Sequence, residues 1–203
     1  MRQEARISIM SFTQHLPQFA IALACAIMPS SALSQTPTDA AMISFESKNE
    51  SRAWRTVNDG VMGGRSSGGS VVMDGELVFE GVINTNGGGF SSVRREMQVG
   101  ALEGVEAFTL SVKSDGRSYR LIARNNARHA GRAVSWQADI PQTEPGEWAS
   151  VRVPFDAYRP TVFGRKVPAG PFRPETVNEL GLIIADGVDG PFSLRVRSID
   201  VSD

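Results

Sequence analysis

The residues best suited to chemistry lie in one stretch, Trp54 to Ser66, which reads W-R-T-V-N-D-G-V-M-G-G-R-S. It holds one carboxylate, at Asp59, among an asparagine and three glycines. Asp and Asn side chains bond nearby backbone amides, and glycine adopts a positive φ without steric cost. Two interpretations follow. The stretch is either a structural corner that the carboxylate fixes, or a binding edge made of backbone amides and Asp59.

A second glycine-rich stretch, Gly87-Gly88-Gly89-Phe90, follows about 20 residues later. It matches neither G-x-G-x-x-G nor G-x-x-x-x-G-K-[ST], and no helical pattern follows it, so it does not predict a nucleotide site. Close packing of backbone against another segment and a contact with a ligand or partner both stay open. We take as candidate binding residues Trp54, Asn58, Asp59, Met62, Gly63, Gly64, Ser66, Asn86, Gly88, Gly89, Phe90 and Arg94.

Patterns of catalytic residues are missing from the sequence. After residue 34 the only histidine is His129, in a polar context, and no G-x-S-x-G motif accompanies it. The glutamates are scattered, whereas a glycosidase needs two carboxylates facing across one cleft. We therefore predict no enzymatic activity, no cofactor and no metal centre.

The sequence feature most similar to a metal-binding motif is one short run that partly resembles a calcium loop. The run from Asp186 to Gly190, D-G-V-D-G, lacks the D-x-[DN]-x-[DN]-G spacing and the distal glutamate. It predicts a tight turn. A structural calcium of another kind stays open.

Regular elements of the fold must position these candidate residues. Nearly everywhere after residue 42, apolar and polar residues alternate in short runs, and this period of two predicts strands. Asp74-Gly75 and Asp115-Gly116 each separate two alternating runs and predict two hairpins. Leu182 to Ala185 is continuously apolar, which indicates a central strand. Pro174 to Leu180 predicts one helical turn. Tyr158 to Phe172, with three prolines, predicts a long loop over one end of the fold.

Large aromatic residues share the phase of the apolar positions. Trp136, Trp148 and Phe192 are predicted to be in the core, whereas Trp54 adjoins the glycine motif and is left open. Ten or so short strands with glycine-rich turns predict an all-β fold, a single jelly-roll or β-sandwich domain.

Residues 1–34 resemble a secretory signal peptide. A basic start precedes an apolar run from Phe19 to Met28, and Ala32-Leu33-Ser34 supplies the small residues of a cleavage site before Gln35. The apolar run is too short to span a bilayer, which takes about 20 residues. Residues 35–41 are predicted to be a flexible leader.

This N-terminus predicts export to the bacterial periplasm. Two alternatives are a lipid anchor at Cys25 and, in a eukaryote, a mitochondrial presequence. Cys25 is the only cysteine, so a chain that starts at Gln35 forms no disulfide.

Net charge excludes one class of partner. The 203 residues carry a formal charge of −1, without the basic footprint of a nucleic-acid-binding protein. No block of like charges predicts direct membrane binding, so we expect membrane association only through a partner.

Five separated motifs, in order, resemble the complex I intermediate-associated protein 30 family. They are N-D-G-V-M-G-G-R-S (58–66), F-E-G-V-I-N-T-N-G-G-G-F-S-S-V-R (79–94), S-D-G-R-S-Y-R-L (114–121), G-E-W-A-S-V-R-V-P-F (146–155) and L-G-L-I-I-A-D-G-V-D-G-P-F-S-L (180–194). The resemblance covers about 43–201 and implies a galactose-binding-like β-sandwich over residues 42–203. It also implies a chaperone-like role in assembling NADH:ubiquinone oxidoreductase, with a protein partner drawn from respiratory-complex subunits.

Two alternative functions are open at this point. One is an exported β-sandwich module that binds a carbohydrate or another small ligand, and the other is an enzyme whose paired carboxylates the sequence does not reveal. The family acts on the matrix side of its membrane, which corresponds to the bacterial cytoplasm. The secretory signal predicts the opposite side.

Overall fold

The computed structural model describes residues 42–46 and 49–202. The predicted signal peptide, the leader and Cys25 lie outside the described residues, so export and the lipid anchor stay predictions. None of the helices in the described part is long and apolar enough to cross a membrane.

The described chain is built almost entirely from strands. They are β1 (Ile43–Ser44), β2 (Arg55–Asn58), β3 (Ser67–Met73), β4 (Glu76–Ile83), β5 (Ser91–Glu96), β6 (Ala107–Ser114), β7 (Tyr119–His129), β8 (Arg132–Asp139), β9 (Trp148–Pro154), β10 (Arg159–Val162), β11 (Arg165–Lys166), β12 (Glu179–Ile184) and β13 (Gly190–Ser202). One short helix, α1 (Glu50–Ala53), and 3-10 turns at Asp59–Met62, Phe155–Ala157 and Pro174–Thr176 connect them.

Two antiparallel sheets form a β-sandwich, which confirms the predicted fold class. The first sheet has the order β3-β4-β13-β6-β9, with β1 paired to β13. The second has the order β11-β10-β8-β7-β12-β5-β2. The chain passes repeatedly from one sheet to the other, so many of its loops are crossings between sheets.

Alternation along each strand fills the space between the sheets. On β13, Phe192, Leu194 and Val196 are buried in the core, as predicted. The register of β13 against β6 then shifts between Val196 and Ser198, which is a bulge at Arg197. The extra residue returns Ile199 to the core side, so one long strand keeps an apolar face throughout.

Strand β12 is central in its sheet, as its continuous apolar run predicts. It lies between β7 and β5, and all six of its residues are buried. Leu180, Leu182 and Ile184 belong to the core cluster. Ile183 is buried too, but it points to the opposite side of the sheet.

The two Asp-Gly pairs have different outcomes. Asp74 and Gly75, with φ of 52° and 74°, join β3 to β4 in a tight hairpin, as predicted. The prediction for Asp115-Gly116 is wrong, because β6 belongs to the first sheet and β7 to the second. There the carboxylate of Asp115 accepts bonds from the Ser193 amide and the Tyr119 hydroxyl, and these bonds hold the crossing.

The prediction that Trp148 lies in the core is also wrong. Val151 and Val153 are the inward residues of β9, and Trp148 has the opposite phase. Its ring lies on the outer face of the first sheet, beneath the guanidinium of Arg197 at 3.8 Å from the ring centroid. Trp136 is buried in the core as predicted.

The segment Tyr158 to Phe172 is only partly a loop. Its first half forms the hairpin β10–β11, which extends the second sheet, and Pro160 pairs with Trp136 of β8 within it. The turn predicted at Pro174 is present, with proline at its start, but it is one 3-10 turn and β12 begins at Glu179.

Candidate functional site

Asp59 joins the two glycine-rich stretches. It begins the 3-10 turn after β2, and its side chain is completely buried. The carboxylate accepts hydrogen bonds from the Ser66 amide (2.9 Å), the Ser66 hydroxyl (2.6 Å) and the Gly89 amide (2.6 Å). The Phe90 amide makes a longer contact of 3.4 Å. The carboxylate therefore faces inward and fixes the corner.

Glycines make room for this carboxylate. An added Cβ at Gly64 would lie 2.2 Å from Cγ of Asp59, and one at Gly88 would lie 2.3 Å from Oδ2. Gly63, with a φ of 88°, closes the 3-10 turn in the left-handed conformation. Gly60 has nothing within 4 Å of an added Cβ, so it is not needed for space.

Hydrogen bonds decide the ionisation of Asp59. Burial alone would raise the pKa of this carboxyl group. The donors at Ser66, Gly89 and Phe90 outweigh burial and hold the pKa below its usual value. The charged form is therefore the one that the corner is built around.

The same corner fixes two crossings between the sheets. Residues 59–66 lead from β2 in the second sheet to β3 in the first, and residues 84–90 lead from β4 in the first sheet to β5 in the second. The Ser66 hydroxyl also accepts a bond from the Asn84 amide at 3.0 Å. The two loops consequently form one hydrogen-bonded wall at the β2 edge of the second sheet.

This wall bounds a groove of about 490 Å³ on the outer face of the second sheet. Ile122 and Ile183, both buried outside the main core cluster, form part of its lining. Val61, Met62 and Phe90 line it from the Asp59 corner, and Phe163 and Gly164 line it from the β10–β11 turn. We call this feature the outer groove.

Among the described residues, four arginines line the outer groove and no acidic residue does. They are Arg94 on β5, Arg120 and Arg124 on β7, and Arg132 on β8. The guanidinium of Arg132 lies 4.9 Å above the Phe163 ring. Arg120 donates to Gln137 Oε1 (2.7 Å) and to the Ala185 carbonyl (2.8 Å). Arg120 also pairs with the exposed carboxylate of Asp139 at 3.7 Å. The lining itself is cationic, although the whole chain is near neutrality.

Glu179 neutralises part of this charge from the side of the groove. Its carboxylate pairs with Arg55, with Arg94 at 3.6 Å and with Arg124 at 3.4 Å. The pKa of Arg94 is lowered, mainly by burial. The charge of Glu179 raises this pKa, but the charges of Arg124 and Arg55 lower it again, so that it stays below its usual value. Three guanidinium groups around one carboxylate leave an excess of positive charge.

Because Gly181 has no side chain, Arg94 can lie across the sheet surface that forms the floor of the outer groove. The register places Gly181 opposite both Arg94 and Ile122. An added Cβ there would lie 2.9 Å from Cγ of Arg94 and 2.5 Å from the Val93 carbonyl oxygen. A side chain at this position would displace the arginine from the sheet surface.

The candidate binding residues separate into three groups. Met62, Gly88, Gly89, Phe90 and Arg94 line the outer groove. Another group supports the corner from inside: Asn58, Asp59, Gly63, Gly64 and Ser66. Trp54 and Asn86 lie elsewhere. The Trp54 ring packs on Phe45 and Nε1 donates to Glu50, and Asn86 is exposed with its amide bonded to Asn84.

Three groove arginines were not among the candidates. Arg120, Ile122 and Arg124 alternate with the core residues Tyr119, Leu121 and Ala123. At positions of a strand that face away from the core, an isoleucine between two arginines is unusual for a solvent-exposed surface. That pattern was available in the sequence, whereas the approach of Arg132 depends on pairing of β7 with β8.

A guanidinium organises the loop that resembled a calcium site. Arg117 donates to both oxygens of Asp186, at 2.7 and 2.9 Å, and to the carbonyls of Gly190 (2.9 Å), Pro191 (2.7 Å) and Val188. Carboxylate and carbonyl oxygens thus surround a fixed organic cation. Within 42–46 and 49–202, no group of three or more His, Cys, Asp or Glu is placed to hold a metal ion.

Comparison with known families gives one match over most of the chain. The family model described as Complex I intermediate-associated protein 30 matches residues 43–196. No curated protein matches the sequence.

Solved structures show the same fold at low identity. The family 11 carbohydrate-binding module of a cellulosomal cellulase of Clostridium thermocellum is 17% identical, with a TM-score of 0.53 over 73% of this chain and 85% of that one. The same module in complex with a β-1,3-1,4-mixed-linked tetrasaccharide gives 17% identity and a TM-score of 0.53 over 74% and 89%. An agarase is 12% identical, with a TM-score of 0.53 over 80% of this chain and 24% of the enzyme.

Proposed function

The chain belongs to the complex I intermediate-associated protein 30 family, and from this membership we propose that it is a non-enzymatic module that assists assembly of a respiratory complex by binding a protein component. The observation that carries the proposal is the outer groove. Its walls are held by buried hydrogen bonds, and its apolar and cationic lining is open to a partner.

The lining supports binding in preference to catalysis. General acid–base catalysis uses a group that exchanges a proton near the working pH, most often histidine or a carboxylate. Among the described residues that line the outer groove there is no histidine, cysteine, aspartate or glutamate. Arginine stays charged and serves as a donor.

Affinity capture tests the proposal. The tagged protein is expressed in its own host, the membranes are solubilised, and captured proteins are identified against an unrelated protein that carries the same tag. We expect subunits of NADH:ubiquinone oxidoreductase, or assembly intermediates of it, to be enriched. If none is enriched, and deletion of the gene leaves the complex unchanged on native gels, the proposal is wrong.

We further propose that the protein is exported and works in the periplasm, where it reaches the membrane through its partner. The N-terminal pattern of residues 1–34 supports this. Fractionation and N-terminal sequencing test it, and we expect a periplasmic protein that starts at or near Gln35. An intact Met1 in the cytoplasmic fraction, or a lipid on Cys25, would contradict it.

A second candidate function is carbohydrate binding. It is favoured by the groove on a sheet face, with Phe90 and Phe163 in its lining, in a fold shared with a module that was solved with a tetrasaccharide. A glycan array with the purified protein tests it. Binding to a neutral glycan, weakened when Phe163 is replaced by alanine, would favour this candidate over assembly.

A further inference from the structure

We propose that the outer groove binds an extended, acidic segment of a protein partner, in which carboxylates alternate with aliphatic side chains. This inference rests on the proposed assembly function and names the chemistry of the segment that is recognised.

The spacing of the arginines supports an extended ligand. Along β12, Glu179, Gly181 and Ile183 are successive residues on the groove side. In the strand register they lie opposite Arg124 of β7, Arg94 of β5 and Arg120 of β7, so the arginines alternate between the two sides of β12. Such same-face positions on a strand recur about every 7 Å. Side chains on one face of an extended peptide recur at the same distance, so alternate carboxylates match successive guanidinium groups.

Hydrogen-bonding capacity favours carboxylates over neutral sugars. A guanidinium has five N–H donors and no acceptor, and an ionised carboxylate only accepts. A sugar hydroxyl needs an acceptor as well. The lining is richer in donors than in acceptors, because its four arginines accept nothing and Gln137 Oε1 already accepts from Arg120.

Apolar side chains in the groove provide contacts for the aliphatic side chains of the proposed peptide ligand. Ile122 and Ile183 supply branched aliphatic surface on the sheet, and Val61 and Phe163 lie at the two ends of the lining with exposures of 75% and 64%. Exposed apolar groups at a polar groove are typical of protein-interaction surfaces. A uronate glycan satisfies the arginines but has no aliphatic side chains for these contacts.

Fluorescence anisotropy tests the inference on the purified full-length protein. The probe is a labelled peptide with glutamate at every second position and leucine or serine between, compared with the same peptide carrying glutamine for glutamate. We expect the glutamate peptide to bind, the glutamine peptide not to bind, and the affinity to fall as salt is raised. Arg120→Gln and Arg132→Gln should each weaken binding roughly tenfold, the loss of one charge-assisted bond.

Arg152→Gln is the matched control, since Arg152 is exposed on the outer side of the first sheet. It should bind like the parent, and thermal unfolding checks that each variant is folded. The inference would be overturned by equal binding of both peptides, by groove substitutions that have no effect on binding, or by tighter binding of an oligogalacturonate than of the glutamate peptide. If groove variants still capture respiratory subunits while the peptide fails to bind, the proposed function survives and the groove is not its binding surface.

Discussion

At the scale of single residues, the buried carboxylate of Asp59 is the most consequential group. We expect Asp59→Ala to lower the free energy of unfolding by about 3 kcal/mol or more, because the amides of Ser66 and Gly89 lose their acceptor inside the protein. Denaturant unfolding measures this. Asp139→Ala is the control, since the Asp139 side chain is 91% exposed and its loss should change stability by less than about 0.5 kcal/mol.

Lowering the pH should remove the stabilisation that the ionised Asp59 carboxylate provides. Its pKa in the folded protein lies below the ordinary 3.8, so the stabilisation by the ionised form is complete only well above the unfolded-state pKa, at about pH 5 and higher. That contribution is lost as the pH falls through the lowered pKa. The difference in unfolding free energy between the parent and Asp59→Asn should therefore shrink between about pH 5 and pH 2. A constant difference would show that the charge does not stabilise the corner.

The glycines beside Asp59 give a further prediction. Gly64→Ala and Gly88→Ala each place a Cβ within 2.3 Å of a carboxylate atom, and each should cost about 3 kcal/mol by overpacking. Gly60→Ala, with open space around it, should change stability by less than about 0.5 kcal/mol. Combining Gly64→Ala with Asp59→Ala should cost less than the sum, because the clashing group is gone. Additive losses would place the strain elsewhere.

At the scale of elements, period-two alternation predicted strands well and connections poorly. The pattern of β13 identifies its buried face correctly because burial of alternate side chains is local information. Whether Asp115-Gly116 turns back in one sheet or crosses to the other depends on Ser193 and Tyr119, which are distant in sequence. Trp148 was misplaced because it precedes Val151 by three residues, and in the regular register of β9 an odd separation puts two side chains on opposite faces.

Arg117 joins two of the crossings, from β6 to β7 and from β12 to β13. Its side chain is mostly buried against Asp186, so we expect Arg117→Ala to cost about 3 kcal/mol. Arg117→Lys should recover only part of this, because one ammonium cannot reproduce the planar fork that meets Asp186 and three carbonyls. The exposed Arg128 is the control, and Arg128→Ala should be nearly neutral in thermal unfolding. Full stability of Arg117→Lys would show that charge alone holds the loop.

At the scale of the whole molecule, the sandwich has two unlike outer faces. On the first sheet, Glu76 pairs with Arg195 and Arg197, and Arg197 covers Trp148. On the second sheet, four arginines line the groove and none of the described lining residues is acidic, while Glu179 and Asp139 pair with three of these arginines from outside the lining. Composition could not reveal this, because the formal charge of −1 sums over both faces. The asymmetry appears only when the strand pairing is known.

Stability and partner binding should be coupled through the Asp59 corner. The loops that Asp59 ties together carry Met62, Gly88, Gly89 and Phe90 into the groove lining, so loss of the carboxylate should disturb the binding surface as well as the fold. Leu194→Ala is the matched comparison. Leu194 is fully buried on β13 of the other sheet, and its truncation should cost a similar amount, about 2–5 kcal/mol.

We therefore expect Asp59→Ala to reduce capture of the membrane partner severalfold at a temperature where both variants are folded, and Leu194→Ala to leave capture unchanged. Quantitative affinity capture, with circular dichroism on the same samples, measures both properties. Equal loss of capture in the two variants would mean that stability alone limits binding. Unchanged capture in both would mean that the partner contacts a surface outside the groove, since the Asp59 corner forms one of its walls.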